Sequence, residues 1–299
     1  GKEIIAGGYF DINNQPIMDN SVLASSRQFF SDCPDGSSLL TVKGARVAGV
    51  QGNTVFAVVQ FEYTTKNLLG SNMYGLLPSP IAIITLDQNP KTGELNVVKY
   101  HNVDTSKAHG LWITCGASLS PWNSHLSSEE YEPDAFIAKN DANFRAFSKN
   151  LYGDETKANP YHYGHMPEVF VNADGTGFVK KHYNLGRISH ELIQVMPDNR
   201  TALMGDDFTN GGLFMFVADK EKDLSDIDDE QLNYYTNLFN NNLETATDVV
   251  IGLYPIDEDK YDNLESADKF TECEGEYEFV DKNDGYKSIS FKFDVEVNL

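Results

Sequence analysis

Thr54-Val55-Phe56-Ala57-Val58-Val59-Gln60-Phe61 is the stretch on which the fold class turns. Val55 to Val59 are apolar without a break and mostly β-branched or aromatic. So short a run reads as a strand, and its continuity puts both of its faces under cover. Gly52-Asn53 just before it is a two-residue hairpin signal, so residues 45–51 are expected to be its partner.

Hairpin signals recur along the chain. Residues 81–86 and 95–100 flank a connection punctuated by Pro90 and Gly93. Residues 168–171 and 177–182 flank Asn172-Ala173-Asp174-Gly175-Thr176, and residues 192–195 and 201–204 flank Pro197-Asp198-Asn199-Arg200. The expectation is an all-β chain, a sandwich or a β-propeller, with a few short helices. No repeated dipeptide chooses between the two. Residues 141–151 predict one of the helices, with Phe144, Phe147 and Leu151 on one side. Ile4, Ile5, Tyr9 and Phe10 suggest an edge strand. At the far end residues 288–299 alternate strictly, with Ile289, Phe291, Phe293, Val295, Val297 and Leu299 on one face. Residues 274–280 are the expected partner, through a turn at Asn283-Asp284-Gly285.

The 299 residues suffice for one large domain or two ordinary ones. Hydrophobics at 40% and aromatics at 12% mark a folded chain. No apolar run is long enough for a helical membrane span. The net charge is −22, and it is uneven: residues 219–299 carry −16 and the rest −6. Such a chain repels nucleic acid and anionic membrane and is suited to cations. Cys33, Cys115 and Cys273 are an odd set, which argues against a disulfide framework and leaves a Cys33–Cys273 pair open. A start at Gly1 fits a processed chain.

The chemistry concentrates between Thr114 and Glu132. Cys115 and Gly116 open a turn-rich loop, Pro121 biases Ser120 to an extended conformation, and a short strand from His125 leads to Glu129-Glu130. In a strand two adjacent carboxylates point to opposite faces, so one can enter a site while the other orients it. A soft thiolate near hard carboxylates suits a transition metal with calcium beside it; a buried free cysteine and a solvated acidic pair is the plainer reading.

Gly110-Leu111-Trp112, Cys115, Ser120-Pro121-Trp122-Asn123 and Ser128-Glu129-Glu130-Tyr131-Glu132-Pro133-Asp134 together resemble the signature of the PhoX-type alkaline phosphatases. Gly186-Arg187-Ile188-Ser189-His190-Glu191 is similar to a second block of that family, and Gly205-Asp206-Asp207 through Lys220 to a third. The resemblance covers residues 40–225. It implies a propeller-like fold, incomplete here, and metal-dependent hydrolysis of phosphate-ester small molecules by a periplasmic or extracellular protein. It also implies iron (Fe3+) and calcium (Ca2+). Cys115 matches an iron-ligating thiolate, Glu130 a ligand supported by Glu129, Glu191 a further acidic ligand, and Asp206 and Asp207 an acidic pair that suits calcium. Arg187 is the candidate grip on phosphate, or else a partner of Asp206 or Asp207. His190 orients a carboxylate or phosphate, or else packs against backbone. His162 and His165 resemble a metal pair only loosely and are expected on a solvent-facing loop.

After residue 225 the family's later blades, with a further metal-binding carboxylate and basic substrate-binding residues, are not recognisable. Residues 226–299 are therefore expected as a separate acidic segment, a cap or an interface. Its rival to catalysis is a non-catalytic metal-binding structural or assembly protein on the same scaffold. Exposed strand edges of a shortened propeller would favour a homo-oligomer or other assembly.

Overall fold

A computed structural model describes residues 6–209 and 211–218, and the backbone of residues 276–281 and 287–292. The chain is mostly β. Its strands form antiparallel sheets, joined by one α-helix among the described residues.

Near the N-terminus β1 (Met18–Asp19) pairs with β2 (Arg27–Gln28). Tyr9 and Phe10 belong to no strand, Phe10 making only an isolated bridge to Pro16, and Ile4 and Ile5 lie outside the described residues.

Sheet A follows, in the order β3 (Pro34–Leu40), β4 (Asn53–Phe61), β5 (Ile81–Gln88) and β6 (Leu95–Asn102). The strand that opened the sequence argument is β4. It lies between β3 and β5, with Phe56 and Val58 fully buried, as its unbroken apolar run requires. The expected partner, residues 45–51, is not a strand. Its backbone is spent elsewhere: Arg46 N donates to Ala173 O, and Gln51 N and Gly52 N donate to the Asp87 carboxylate. Gly52-Asn53 therefore caps the β4–β5 end instead of closing a hairpin. The true partner is β3, whose register shifts between Pro34 and Ser37.

Sheet B runs β7 (Ser118–Leu119), β8 (His125–Leu126), β9 (Met166–Val171) and β10 (Gly177–His182); sheet C runs β11 (His190–Val195), β12 (Thr201–Asp206) and β13 (Leu213–Val217). The hairpins expected from the sequence are β5–β6, β9–β10 and β11–β12. A last pair, β14 (Glu276–Asp281) with β15 (Lys287–Lys292), is antiparallel as the alternation of the C-terminal sequence suggested; its turn and residues 293–299 lie outside the described residues, as does the rest of 219–275, Cys273 included.

The sheets stack through two cores. Phe56, Ile81 and Ile83 of sheet A meet Val169 and Val179 of sheet B. Leu126 and Met166 of sheet B meet Ile193, Ala202 and Met204 of sheet C. The helix α1 (Ala142–Tyr152) carries a third core. Asp141 caps it by accepting from Phe144 N at 2.7 Å, Gly153 ends it at φ 74°, and Phe144, Phe147 and Leu151 pack on Trp112 and Tyr163. These cores hold the loop between sheets A and B, from Val103 to Ser118, in place.

Candidate metal centre

The loop carrying Cys115 is fastened from both sides. Gln60, on β4, donates through Nε2 to Cys115 O and to Gly116 O, and its Oε1 meets the buried ring of His125 at 2.9 Å. From β3, Gly36 N donates to Cys115 O at 3.1 Å. On the far side Gly116 packs against the backbone carbonyl of Glu191, where a Cβ would clash. Ser128 Oγ, within 2.7 Å of Gly116 O and 2.9 Å of Glu191 O, ties the two segments together. The segment with the two glutamates is fixed likewise: Glu129 bridges Thr114, Glu130 N donates to Ile113 O, and His190 N donates to Glu129 O.

The result is that Cys115, Glu130 and Glu191 converge. One ligand atom from each lies within 4.8 Å of the others. Cys115 and Glu130 are buried and Glu191 is half-buried. Further carboxylates surround them. Asp35 Oδ2 lies 3.6 Å from Cys115 Sγ. Tyr131 Oη donates to Asp207 Oδ2 at 2.5 Å and also engages Glu130. Glu62, next after β4, feels the charges of Glu130, Asp35, Glu191 and Asp207. Burial first and these neighbours second push its carboxyl up to about 7. Burial likewise pushes Glu130 up to about 7, with Glu191 adding repulsion. The Cys115 thiol is driven far above its ordinary range by burial and then by Glu130 and Glu191. Among the described residues none of these groups is ion-paired to a lysine, arginine or histidine.

This is a fit for cations. The Glu62 and Glu130 carboxyls and the Cys115 thiol are held away from their charged forms by burial and by the negative charge around them, and a metal ion reverses that pressure. The donor set joins a soft sulfur to hard oxygens, as the sequence suggested. The backbone beside it is held in a sparsely populated conformation. Ile113 has φ 37° and Tyr131 φ 46°, which a β-branched and a bulky residue adopt only when the surroundings impose it.

The other sequence-derived residues are placed as follows. Glu129 is fully buried and does not belong to the cluster of ligand atoms. Its Oε1 accepts from Trp112 N (2.9 Å) and Lys181 Nζ (2.8 Å), and its Oε2 from Gly164 N and His165 N (both 3.1 Å). Asp207 reaches the cluster through Tyr131, while Asp206 lies beside it, its carboxyl raised by burial. Arg187 donates from Nε to Tyr163 O at 2.9 Å and from Nη2 to Pro133 O and Pro160 O. His190 is fully buried and donates from Nε2 to Gly186 O at 3.1 Å. His162 and His165 are buried too, against the expectation of a solvent-facing loop: His162 stacks on His109 at 3.9 Å, and His165 sits against Gly186 O and Tyr161 O. The aromatic shell around α1 closes that loop over. Trp122 is half-buried against the core of sheet C and donates to Glu168. Among the described residues Cys33 and Cys115 are free thiols; the Cys33–Cys273 pair rests on Cys273, outside the described residues.

Sequence reasoning missed Asp35 and Glu62. Asp35 sits in a Pro-Asp-Gly-Ser run that reads as a turn, and Glu62 is one acid among 45. The only local signal was that Glu62 directly follows the continuously apolar strand β4.

A family model for alkaline phosphatase PhoX matches residues 84–246. The matched stretch contains Cys115, Glu130 and Glu191, begins after Asp35 and Glu62, and runs past residue 225. No curated protein and no solved structure matches the chain significantly. The match spans more than half of the chain and takes in the three converging ligand residues, and the chain belongs to the alkaline phosphatase PhoX family.

Proposed function

We propose that this chain is a metal-dependent phosphomonoesterase of the alkaline phosphatase type, acting on phosphate-ester small molecules in the periplasm or outside the cell. The observation that carries the reading is the convergence of Cys115 Sγ with carboxylate oxygens of Glu130 and Glu191 within 4.8 Å. Cys115, Glu130 and Glu191 would hold iron, and the Asp206–Asp207 pair would supply oxygens for calcium, with Asp35 and Glu62 as further oxygen donors nearby. Bound cations neutralise phosphate oxygens and favour in-line displacement at phosphorus.

The protein's own part is positioning. Glu130 and Glu191 fix and balance the charge. Tyr131 Oη, anchored to Asp207, holds one edge of the site. Glu129 keeps the backbone of the Glu130 segment in register, and His190 does so from β11 through its N–H to Glu129 O. Arg187 draws Pro133, Pro160 and Tyr163 together behind the site, and Asp206 stands beside Asp207. In this reading sheets A, B and C are successive blades of an incomplete propeller, and residues 226–299 form a segment of their own.

One observation favours a second reading. Arg187, the candidate phosphate grip, directs Nε and Nη2 to the backbone carbonyls of Tyr163, Pro133 and Pro160. That suits a metal-binding module without turnover. Elemental analysis together with an aryl phosphate assay separates the two. Metal with turnover supports the phosphatase, metal without turnover supports the module, and a purified chain holding neither iron nor calcium overturns both.

A further inference from the structure

Three buried polar side chains from two sheets stand behind Cys115. Gln60 on β4 and His125 on β8 are fully buried, and Ser38 on β3 is buried too. None of them is among the converging ligand atoms. Their hydrogen bonds fix where each proton sits. Gln60 Nε2 carries two protons and faces two carbonyls, Cys115 O and Gly116 O. Turning the amide over would set its oxygen against both carbonyl oxygens, so the amide has one orientation. Its Oε1 therefore accepts, and His125 Nε2, at 2.9 Å, is the N–H. Burial pushes His125 down to about 3, so the ring is neutral and has a single N–H. Nδ1 is then the acceptor, and Ser38 Oγ donates to it at 2.9 Å.

The donors run from Ser38 to His125 to Gln60 and end on Cys115 O and Gly116 O. A buried polar network is costly unless its members are satisfied, and a satisfied one specifies a unique arrangement. What this one specifies is the orientation of two successive peptide planes. A peptide unit is planar, so holding its carbonyl holds the whole unit. Gly36 N also donates to Cys115 O, at 3.1 Å, and Ser128 Oγ lies 2.7 Å from Gly116 O. On the other side of Cys115, Thr114 is held independently, by its bridge to Glu129 and by Thr114 N donating to Ser79 Oγ at 3.3 Å. The backbone is thus set on both sides of the thiol, and with it the direction in which Cβ leaves the chain.

We infer that His125 is a positioning residue for Cys115: its Nε2–H holds the Gln60 amide in the orientation that presents both amide protons to the carbonyls of the thiol loop. The inference rests on the reading of Cys115 as a metal ligand. It reaches past the ligands themselves, because His125 acts on the Cys115 backbone through two hydrogen bonds in series. A histidine that only filled space would be replaceable by another ring. One that acts through its proton is replaceable by another donor.

Cobalt(II) titrated into the metal-stripped full chain tests this. Its thiolate-to-cobalt absorption band reports Cys115 directly, and Cys115→Ser identifies the band. Gln60→Met, similar in size but without the donors, should raise the cobalt Kd by about ten- to a hundredfold and shift the band. His125→Phe keeps a ring and removes the N–H, and should do the same. His125→Gln, whose amide can donate in place of Nε2, should recover most of the lost affinity and the unmodified band. Urea unfolding of each stripped variant identifies those that fold. Where they do not, nitrogen NMR of isotope-labelled histidine in the unmodified chain still decides, and the expected His125 tautomer has its proton on Nε2. The opposite tautomer overturns the inference. So does an unchanged Kd and band in folded Gln60→Met or His125→Phe, or equal weakening in His125→Phe and His125→Gln. An unmodified chain with no thiolate band defeats the reading of Cys115 as a ligand and this inference with it, whereas a band that ignores the variants removes the positioning role alone.

Discussion

Glu129 accepts four hydrogen bonds, one of them from the ammonium of Lys181, in a site where both side chains are almost wholly buried. Glu130, one residue later, meets Cys115, Glu191 and Asp207, and no cationic side chain. Both carboxylates leave water, and burial opposes the charge of each. For Glu129 the chain supplies the compensation itself, since Lys181 Nζ also donates to Gly110 O and His162 O. For Glu130 it supplies more negative charge. Two adjacent residues of one type thus do different work: the first site is complete as folded, and the second calls for a cation from solution.

The largest expected difference between them is in turnover. Glu191→Gln keeps the size of the side chain and removes a charged oxygen from the converging set. Phosphoryl transfer rests on positioning and electrostatic stabilisation, so hydrolysis of an aryl phosphate should fall by about a thousandfold or more. Circular dichroism should be unchanged. A variant that retains turnover while binding less metal would separate the cluster from the chemistry.

The next effect lies on the other side of the comparison. Lys181→Met leaves Glu129 buried with its three backbone donors but no counter-charge. Breaking a buried pair by removing one partner costs about 3–5 kcal/mol. Urea unfolding should read that loss with or without metal present. A loss that disappears on adding calcium and iron would mean that the two sites are not independent.

The pH dependence distinguishes the sites more finely. In the metal-free chain Glu130 and Glu62 rise from the ordinary carboxylate value to about 7. A carboxyl whose value is raised by folding binds its proton more tightly in the folded state. Its contribution is therefore complete below the unfolded value and is lost as pH climbs through the folded one. Melting temperature with chelator should fall between about pH 4.5 and 7, and metal should remove that fall. Saturating metal should also raise stability, by about 4 kcal/mol at a thousandfold excess over Kd. Equal melting curves with and without chelator across this range would break the contrast.

How much of this was legible depended on distance along the chain. The hairpins β5–β6, β9–β10 and β11–β12 announce themselves, because turn and strands are contiguous and the turn residues carry the geometry. So does α1, through Asp141 and the spacing of Phe144, Phe147 and Leu151. The partner of β4 does not: Pro34 to Ser38 looks like a loop, and only the demand of β4 for a second neighbour recruits it. The site divides in the same way. Cys115 and the Glu129-Glu130 pair stand in one readable stretch, and the alternation of a strand already separates the roles of the two glutamates. Asp35 and Glu62 arrive from sheet A, more than fifty residues upstream, by sheet packing that no local pattern records.

The smallest effect concerns what holds the two halves of the cluster together. Ser128 Oγ has one proton and two carbonyls in reach, Gly116 O beside Cys115 and Glu191 O on β11. Ser128→Ala removes the donor and leaves both carbonyls with one fewer partner, in a seam where Gly116 already packs closely on Glu191. A single neutral hydrogen bond of this kind is worth about 1 kcal/mol. Unfolding with chelator present should register a loss of that size, well below the loss for Lys181→Met. Metal affinity should fall alongside, because Cys115 and Glu191 keep their ligand atoms but lose a constraint on their separation. Isothermal titration with calcium reads the second effect separately. Unchanged affinity beside the expected loss of stability would show that Gly116 packing alone sets the spacing, and Gly116→Ala would then become the sharper probe of the seam.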